Sequence, residues 1–312
     1  MARTRRKRAL AMVAALLTFA ALLTGCSPGF GGLRLRIAAG NPGGVYDTLA
    51  QTLATAWQSG LDIERPQVLQ TQGSPDNVNK VLAGAADVGF VAADVAADTY
   101  KKNPGLTTLA RIHDDYLHIV VRTDSAIHSV ADLRGKRIAI GLPASGVEYI
   151  ASRLLQAAEL NGSVSTTTTR GLEDSVKALL NGDVDAFFWS GGLPTPLIAG
   201  QNDTKSLRLL DIADQMPRMQ ALNQVYGTAS IPASMYEQDR PVTTLLVPNF
   251  LVVPSSMSDD VAEALVRGLF DARAQLARAN PAALSIDVHP GIETQPIPLH
   301  PGALRYYRSQ KD

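Results

Sequence analysis

The chain carries one short stretch twice, at Arg36–Pro42 (RIAAGNP) and again 101 residues later at Arg137–Pro143 (RIAIGLP). Each copy has the apolar residues of a short buried strand, followed by the glycine and proline of a turn. The copies align without a gap, so we interpret them as equivalent parts of a duplicated unit. This duplication decides the fold that we expect.

Both turns are followed by apolar residues at i, i+3, i+4, i+7, i+8 and i+11, the spacing of an amphipathic helix. Asp47 and Glu148 occupy equivalent places in the first turns, where a helix dipole favours negative charge. The apolar residues are Tyr46, Leu49, Ala50, Leu53, Ala54 and Trp57 in the first helix, and Val147, Ile150, Ala151, Leu154, Leu155 and Ala158 in the second.

A second match, at a distance of 98 residues, pairs Asp76–Val91 with Asp174–Trp189. In each segment a helix ends at a glycine, a tight turn carries an aspartate, and a buried strand follows. Chance similarity between alanine-rich segments explains two matches in the same order less well than duplication does. Each half therefore reads strand, helix, helix, strand, which predicts an α/β fold with mostly parallel sheets flanked by helices.

Two apolar runs lie outside the duplicated segments, at Leu117–Val121 and Thr243–Val253. We interpret them as two crossing strands that carry the chain from a first lobe to a second and back. A helix is then predicted over Val261–Ala279, ending at Asn280 and Pro281. The expected lobes are residues 33–120 together with 245–312, and residues 121–244.

Composition excludes several classes of protein. Hydrophobic residues make up 46% of the 312, which excludes a disordered chain, and a single cysteine excludes an internal disulfide. Residues 1–25 hold five basic residues and no acid, so the remaining chain has 24 Lys and Arg against 29 Asp and Glu, a net charge of −5. Nucleic acid is therefore not expected as a partner.

The first 25 residues have the layout of a secretory signal, with basic residues before the apolar run Ala9–Leu23. The run is short for a membrane span, and Leu23–Cys26 (LTGC) resembles a bacterial lipobox. That resemblance implies cleavage before Cys26 and lipidation of its thiol, with residues 26–32 as a tether. The alternative is an uncleaved membrane anchor with an incidental cysteine.

Two helix starts are the first candidates for a ligand site, because ligands of open parallel sheets bind where glycine-rich turns open helices. Gly43, Gly44, Val45 and Tyr46 offer backbone N–H groups at one helix start, and Pro143, Ser145, Gly146 and Val147 form the other. Neither turn contains Arg or Lys, so a bound carboxylate is expected to be held chiefly by backbone N–H groups. The alternative is that these glycines serve turn geometry only.

Further candidates follow the other predicted helices and strands. Ser74, beside Asn77 at a helix entry, is either a cap or a ligand donor, and Asp94 either receives a ligand ammonium or caps a helix. Trp189 is either a packing residue or a platform for the ligand, and Gly192 follows it. These segments come after strands that are expected to reach the cleft between the lobes.

Motifs for catalysis or cofactor binding are weak. Ser145 does not stand in a Gly-x-Ser-x-Gly elbow, and Gly135-Lys136 lacks the other residues of a phosphate-binding loop. The five histidines have no helical metal-ligand spacing. We therefore expect neither an enzyme nor a cofactor or metal ion.

Several blocks together resemble the TAXI-type solute receptors of TRAP transporters. These blocks are Gly43–Tyr46, Leu117–Ser145, Asp185–Phe188 and Pro296–Ala303, and the resemblance runs from about residue 34 to 308. It implies a two-lobed type II periplasmic-binding-protein fold that delivers a small organic acid or amino acid to TRAP-type membrane permease subunits. The family usually has Thr or Ser at Val45 and Val147, and a polar residue at Ala93. A carboxylate less polar than glutamate is therefore expected.

The expected protein is thus a lipid-anchored receptor on the outer face of the bacterial plasma membrane. The alternative is a sensory binding protein that presents its ligand to a membrane signalling partner such as a sensor kinase. A permease gene beside this one would favour transport, and a sensor kinase gene would favour sensing.

Replacing Cys26 with Ser is predicted to release the protein from membranes, because the thiol is the atom that carries the lipid. Fractionation of cells and mass measurement of the purified protein test this. Recovery of Cys26→Ser in the membrane fraction at full length would show that another segment is the anchor.

Overall fold

The computed structural model describes residues 30–168, 171–200 and 206–311. Residues 1–25 and the proposed lipid attachment site Cys26 lie outside the described residues. Within the described part of the chain, no helix is long and apolar enough to cross a bilayer.

The described residues form strands and helices in a mostly alternating order. The strands are β1 (Arg36–Ala38), β2 (Gln67–Leu69), β3 (Val88–Ala92), β4 (Leu106–Arg122), β5 (Arg137–Ala139), β6 (Ser165–Thr167), β7 (Ala186–Gly191), β8 (Leu207–Leu209), β9 (Gly227–Ile231) and β10 (Val242–Pro254). The helices are α1 (Val45–Leu61), α2 (Ser74–Leu82), α3 (Ala93–Lys102), α4 (Gly146–Ala157), α5 (Leu172–Asn181), α6 (Pro196–Ala199), α7 (Met216–Leu222), α8 (Asp259–Asp271), α9 (Arg273–Ala279), α10 (Val288–Gly291) and α11 (Pro301–Ser309).

The strands form one continuous sheet in the order β2-β1-β3-β10-β4-β7-β5-β6, in which β8 also pairs with β4 and β9 with β10. Strand β10 matches the predicted run Thr243–Val253, whereas β4 contains the predicted run Leu117–Val121 but begins earlier, at Leu106. The two strands pair antiparallel over Leu106–Tyr116 of β4 and Leu246–Pro254 of β10. Pairing is parallel between β1 and its neighbours β2 and β3, and between β5 and its neighbours β6 and β7. The predicted α/β fold with two crossing strands is thus confirmed, and both proposed lobe boundaries fall at or inside β4 and β10.

The duplication extends to side-chain contacts. Arg36 donates from its backbone N–H, Nε and Nη2 to the carboxylate of Asp87, at 2.7, 3.1 and 3.0 Å. Arg137 makes the same three bonds to Asp185, at 2.8, 3.2 and 2.8 Å. Each pair joins the start of one parallel strand to the start of its neighbour, so the two halves are built by the same local interaction.

Two details differ from the sequence predictions. Short strands β2 and β6 lie between the two helices of each half, where no strand was expected. Each has three residues, too few for the alternation or the apolar run that marks a strand in sequence. The predicted helix Val261–Ala279 begins earlier, at Asp259, and is interrupted at Ala272 (φ −85°, ψ 0°). Its end at Ala279, before Asn280, is as expected.

The buried side chains form three clusters. One is confined to residues 33–120 and 251–307 and includes Trp57, and a second, including Phe187, is confined to residues 120–242. The third spans both halves and joins Val91 and Val95 to Leu117, Met219 and Tyr226. Apolar packing therefore holds the two halves against each other beside the crossing strands.

Candidate functional site

The two candidate helix starts have the same backbone design. Helix α1 begins after Gly44 and helix α4 after Ser145, each N-cap residue having extended backbone. The N–H of Gly43 donates to Asp47 Oδ2 at 2.9 Å, and the N–H of Ala144 donates to Glu148 Oε2 at 2.6 Å. In both turns an acid of the first helical turn therefore reaches back to stabilise the loop before it.

This geometry corrects the interpretation of Gly43. Its N–H was expected to be open to a ligand, but Asp47 occupies it, and the φ of +75° at Gly43 is what requires glycine there. The N–H of Gly44 donates to the carbonyl of Asn41 at 3.1 Å. Of this candidate turn, the N–H groups of Val45 and Tyr46 remain for a ligand, since first-turn N–H groups have no intrahelical partner.

The second helix start is partly capped by its own side chain. Ser145 Oγ accepts from the N–H of Glu148 at 3.1 Å, and Ser145 and Val147 are buried. The N–H groups of Gly146 and Val147 lie in the first turn, while Pro143 is exposed in the loop before it. Ser145 thus serves as a cap, and its hydroxyl hydrogen is the part left for a ligand.

The helix starts of the two halves meet at α2. The Tyr46 hydroxyl lies 3.2 Å from Ser74 Oγ, and Ser74 Oγ accepts from the N–H of Ala92 at 3.0 Å. A Cβ placed on Gly73 would lie 3.5 Å from the backbone nitrogen of Gly146. The first turns of α1, α2 and α4 are therefore brought together, although α4 belongs to the other half of the chain.

A groove of about 410 Å³ runs beside this meeting point. Its lining includes Pro75 from α2 and, from the α4 side, Ser145, Glu148 and Arg153. The groove therefore opens along the line where the two halves face each other.

Asn77 has a structural role. Its Nδ2 donates to the carbonyls of Ala39 and Phe90, at 2.5 and 2.7 Å, and its Oδ1 accepts from Thr71. The side chain is completely buried. All of its hydrogen-bonding atoms are engaged within the protein, so it joins the ends of β1 and β3 to α2 and offers nothing to a ligand.

Asp94 joins the two halves. Its carboxylate accepts from the Tyr226 hydroxyl and from the N–H of Val95, both at 2.8 Å. Burial raises the pKa of Asp94 to about 6, while the hydrogen bond from Tyr226 acts in the opposite direction. Asp94 lies inside the first turn of α3, whose N-cap is Ala92, so it is not the helix cap. Its bond to Tyr226 is an interlobe contact that the sequence did not indicate.

A second acid on α3 extends this contact. Asp98 accepts from the Tyr149 hydroxyl at 2.6 Å and forms an ion pair with Arg153. Asn223 Nδ2 lies 3.3 Å from Asp98 Oδ1. The members of this cluster come from three distant segments, each with the pattern of an ordinary polar helix face, so the sequence alone does not indicate it.

Trp189 lies in β7, which pairs with the crossing strand β4, and Gly192 directly follows β7. Trp189 Nε1 donates to Thr195 Oγ1 at 3.2 Å, and its ring packs partly buried against two of the apolar clusters. This favours the packing role among the two that the sequence left open. A Cβ on Gly192 would lie 3.6 Å from Ala282, so Gly192 is a point of contact between the halves.

Residues 30–168, 171–200 and 206–311 contain no cluster of three or more His, Cys, Asp or Glu that could hold a metal ion. His300 shows a structural role for one of the histidine side chains. Its Nδ1 accepts from the N–H of Gly302 at 3.1 Å and so caps α11.

The chain matches one protein family and is similar to several solved structures. A family model described as the NMT1-like family matches residues 37–310. Among solved structures, the chain is similar to the Xanthomonas citri protein XAC2383 bound to chloride ion, with 15% identity, a TM-score of 0.53 and coverage of 88% of this chain and 95% of that one. It is also similar to a protein described as a periplasmic transporter, with 14% identity, a TM-score of 0.52 and coverage of 92% and 94%.

The periplasmic aliphatic sulphonate binding protein SsuA of Escherichia coli is a further match, with 16% identity, a TM-score of 0.47 and coverage of 90% of this chain and 79% of that one. At such identities the likeness concerns the fold. The two matches with TM-scores above 0.5 share the fold of this chain, and the predicted α/β arrangement of a sheet flanked by helices is confirmed.

The Asp94→Asn variant is predicted to become relatively more stable as the pH rises. Because the folded-state pKa of about 6 lies above the ordinary value of 3.8 for an aspartate, the folded state favours the protonated carboxyl. Its contribution to stability is full below the lower value and is lost as the pH rises through about 6. Between pH 4 and pH 7.5 the free energy of unfolding of Asp94→Asn should gain about 2 kcal/mol on wild type.

Urea unfolding at the two pH values measures this difference. Asp183→Asn, which removes one negative charge at an exposed position, is the control. An equal offset between Asp94→Asn and wild type at both pH values would contradict the assignment.

Proposed function

The chain belongs to the NMT1-like family, and we propose that it is an extracytoplasmic solute-binding protein that captures a small carboxylate between its lobes. One observation carries the proposal: the first turns of α1, α2 and α4 face one another across the two halves of the chain. A Cβ placed on Gly73 would be in van der Waals contact with the backbone of Gly146, at 3.5 Å from its nitrogen, so the two helix starts pack directly against each other. Binding proteins with lobes joined by strands close on ligands placed in this way.

The chemistry of the site suits a carboxylate of limited polarity. First-turn N–H groups at Val45, Tyr46, Gly146 and Val147 carry the partial positive charge of a helix start. The acids of these turns are engaged with the loop N–H groups of Gly43 and Ala144, so their charge is partly compensated. The partly buried side chain of Val45 adds apolar surface where a hydroxyl would otherwise lie.

Binding without catalysis is part of this proposal. The polar side chains at the helix starts are engaged as caps or braces, as Ser145 and Asn77 illustrate. No nucleophile–base pair was identified from the sequence, and the site is built from backbone groups that hold a ligand in place. The protein is therefore assigned a role in capture and delivery.

Delivery is proposed to go to TRAP-type permease subunits, with the lipid on Cys26 holding the protein at the outer face of the membrane. The TAXI-like blocks at Gly43–Tyr46, Leu117–Ser145, Asp185–Phe188 and Pro296–Ala303 support this finer assignment. Co-purification of the lipidated protein with permease subunits from detergent extracts would support it. Co-purification with a sensor kinase instead would assign the protein to signalling.

Mass spectrometry of small molecules released from the purified protein should recover a carboxylic acid, and calorimetry with that acid should locate its site. In Gly44→Val, a Cβ lies 3.1 Å from the carbonyl oxygen of Asn41, so the turn must shift. The variant should lose binding energy on the order of 2 to 4 kcal/mol. Ser145→Ala should lose only about 1 kcal/mol.

Gly60→Val is the matched control, because Gly60 lies in the same helix with open space around it. Circular dichroism confirms folding of each variant before titration. Normal affinity in folded Gly44→Val would show that the first turn of α1 is structural and that the ligand site lies elsewhere.

A further inference from the structure

A polar cluster lies beneath the first turn of α1, on the crossing strands. The Tyr46 hydroxyl donates to Asn249 Oδ1 on β10. The Tyr46 ring meets the ring of His113 on β4 edge to face, with centroids 5.9 Å apart and planes at 68°. The residue that opens α1 is thus joined directly to the strands that connect the two halves.

His113 and Asp115 carry buried polar atoms without hydrogen-bond partners. His113 is 2% exposed, and neither ring nitrogen is hydrogen-bonded to any residue of the described chain. The same holds for Asp115 Oδ1, which lies 3.4 Å from His113 Nε2. Buried polar atoms in folded proteins almost always have a partner, so this pair requires an explanation.

The position of His113 and Asp115 in the sheet supplies an explanation for these unpartnered atoms. His113 and Asp115 stand opposite Asn249 and Val247 in the pairing of β4 with β10, next to a register shift between Asn249 and Phe250. This is the part of the crossing strands where β10 leaves β3 in one half for β9 in the other. Through its ring contact with Tyr46, His113 is joined to the first turn of α1, where the solute carboxylate is proposed to bind.

The chemistry of the pair favours a hydrogen-bond donor. An ionised carboxylate only accepts hydrogen bonds, and a neutral imidazole has one accepting nitrogen. Together the two side chains hold more acceptors than donors, and Asn249 Oδ1 beside them is already engaged by Tyr46. A ligand group that brings N–H or O–H bonds would satisfy the excess.

We propose that His113 and Asp115 form a specificity subsite that binds an ammonium or hydroxyl group of the solute, so that the ligand is an amino- or hydroxy-substituted carboxylate. This inference rests on the proposed function, since the helix starts must hold the carboxylate. It assigns polar recognition to the crossing strands and leaves the partly buried side chain of Val45 for an aliphatic part of the ligand.

Matched sets of acids test the subsite in thermal-shift and calorimetric titrations of the purified protein. One set is glutarate, 2-hydroxyglutarate and glutamate, and the other is valerate, 2-hydroxyvalerate and norvaline. Within the set that binds, the substituted acids should bind at least tenfold more tightly than the unsubstituted parent. The comparison of hydroxy with amino acid identifies which donor the subsite takes.

The Asp115→Asn variant should lose this preference, because it replaces a carboxylate oxygen with a donor. Asp114→Asn is the control. The Asp114 carboxylate is adjacent in sequence but forms an ion pair with Arg111 at 2.8 Å, outside the cluster, so this variant should keep the preference. Circular dichroism establishes that both variants are folded.

The outcomes separate the two proposals. Equal affinity for the parent and the substituted acids, or an unchanged preference in folded Asp115→Asn, would overturn the subsite and leave carboxylate binding intact. If no acid of either set binds, carboxylate capture itself is contradicted, and the subsite with it.

Discussion

The pairing of β4 with β10 is the constraint on which the rest of the structure depends. Each strand runs through both halves of the chain. Besides pairing with each other, β4 pairs with β7 and β8, and β10 pairs with β3 and β9. The Thr244 hydroxyl adds a side-chain bond to the carbonyl of Leu117 across this pair. Relative movement of the halves must therefore occur through bending or twisting of two strands, which limits it to a hinge-like motion.

Duplication explains why much of the fold was predictable. Arg36–Pro42 and Arg137–Pro143 each place a strand, a turn and a helix, and those elements obey local rules of periodicity and capping. The Arg36–Asp87 and Arg137–Asp185 pairs were not identified as contacts, yet their residues lie within the two matched segments. A repeated sequence thus specified repeated local interactions, including contacts about 50 residues apart in the chain.

The candidate site was only partly predictable, because its decisive contacts depend on packing between distant segments. Asp94 meets Tyr226, 132 positions away in the chain, and Tyr46 meets Asn249 across 203. Nothing in the local pattern around either partner indicates such a contact. The sequence indicates that Asp47 and Glu148 stand at helix starts, but their hydrogen bonds to the preceding N–H groups depend on the backbone geometry of each turn.

The central claim is that a solute bound between the halves holds them together. Small-angle X-ray scattering of the protein, stripped of small molecules and then saturated with the acid it retained, tests this most directly. A smaller radius of gyration in the saturated sample is expected, because the first turns of α1, α2 and α4 would converge on the ligand. Identical scattering profiles at demonstrated saturation would contradict closure on a solute between the halves.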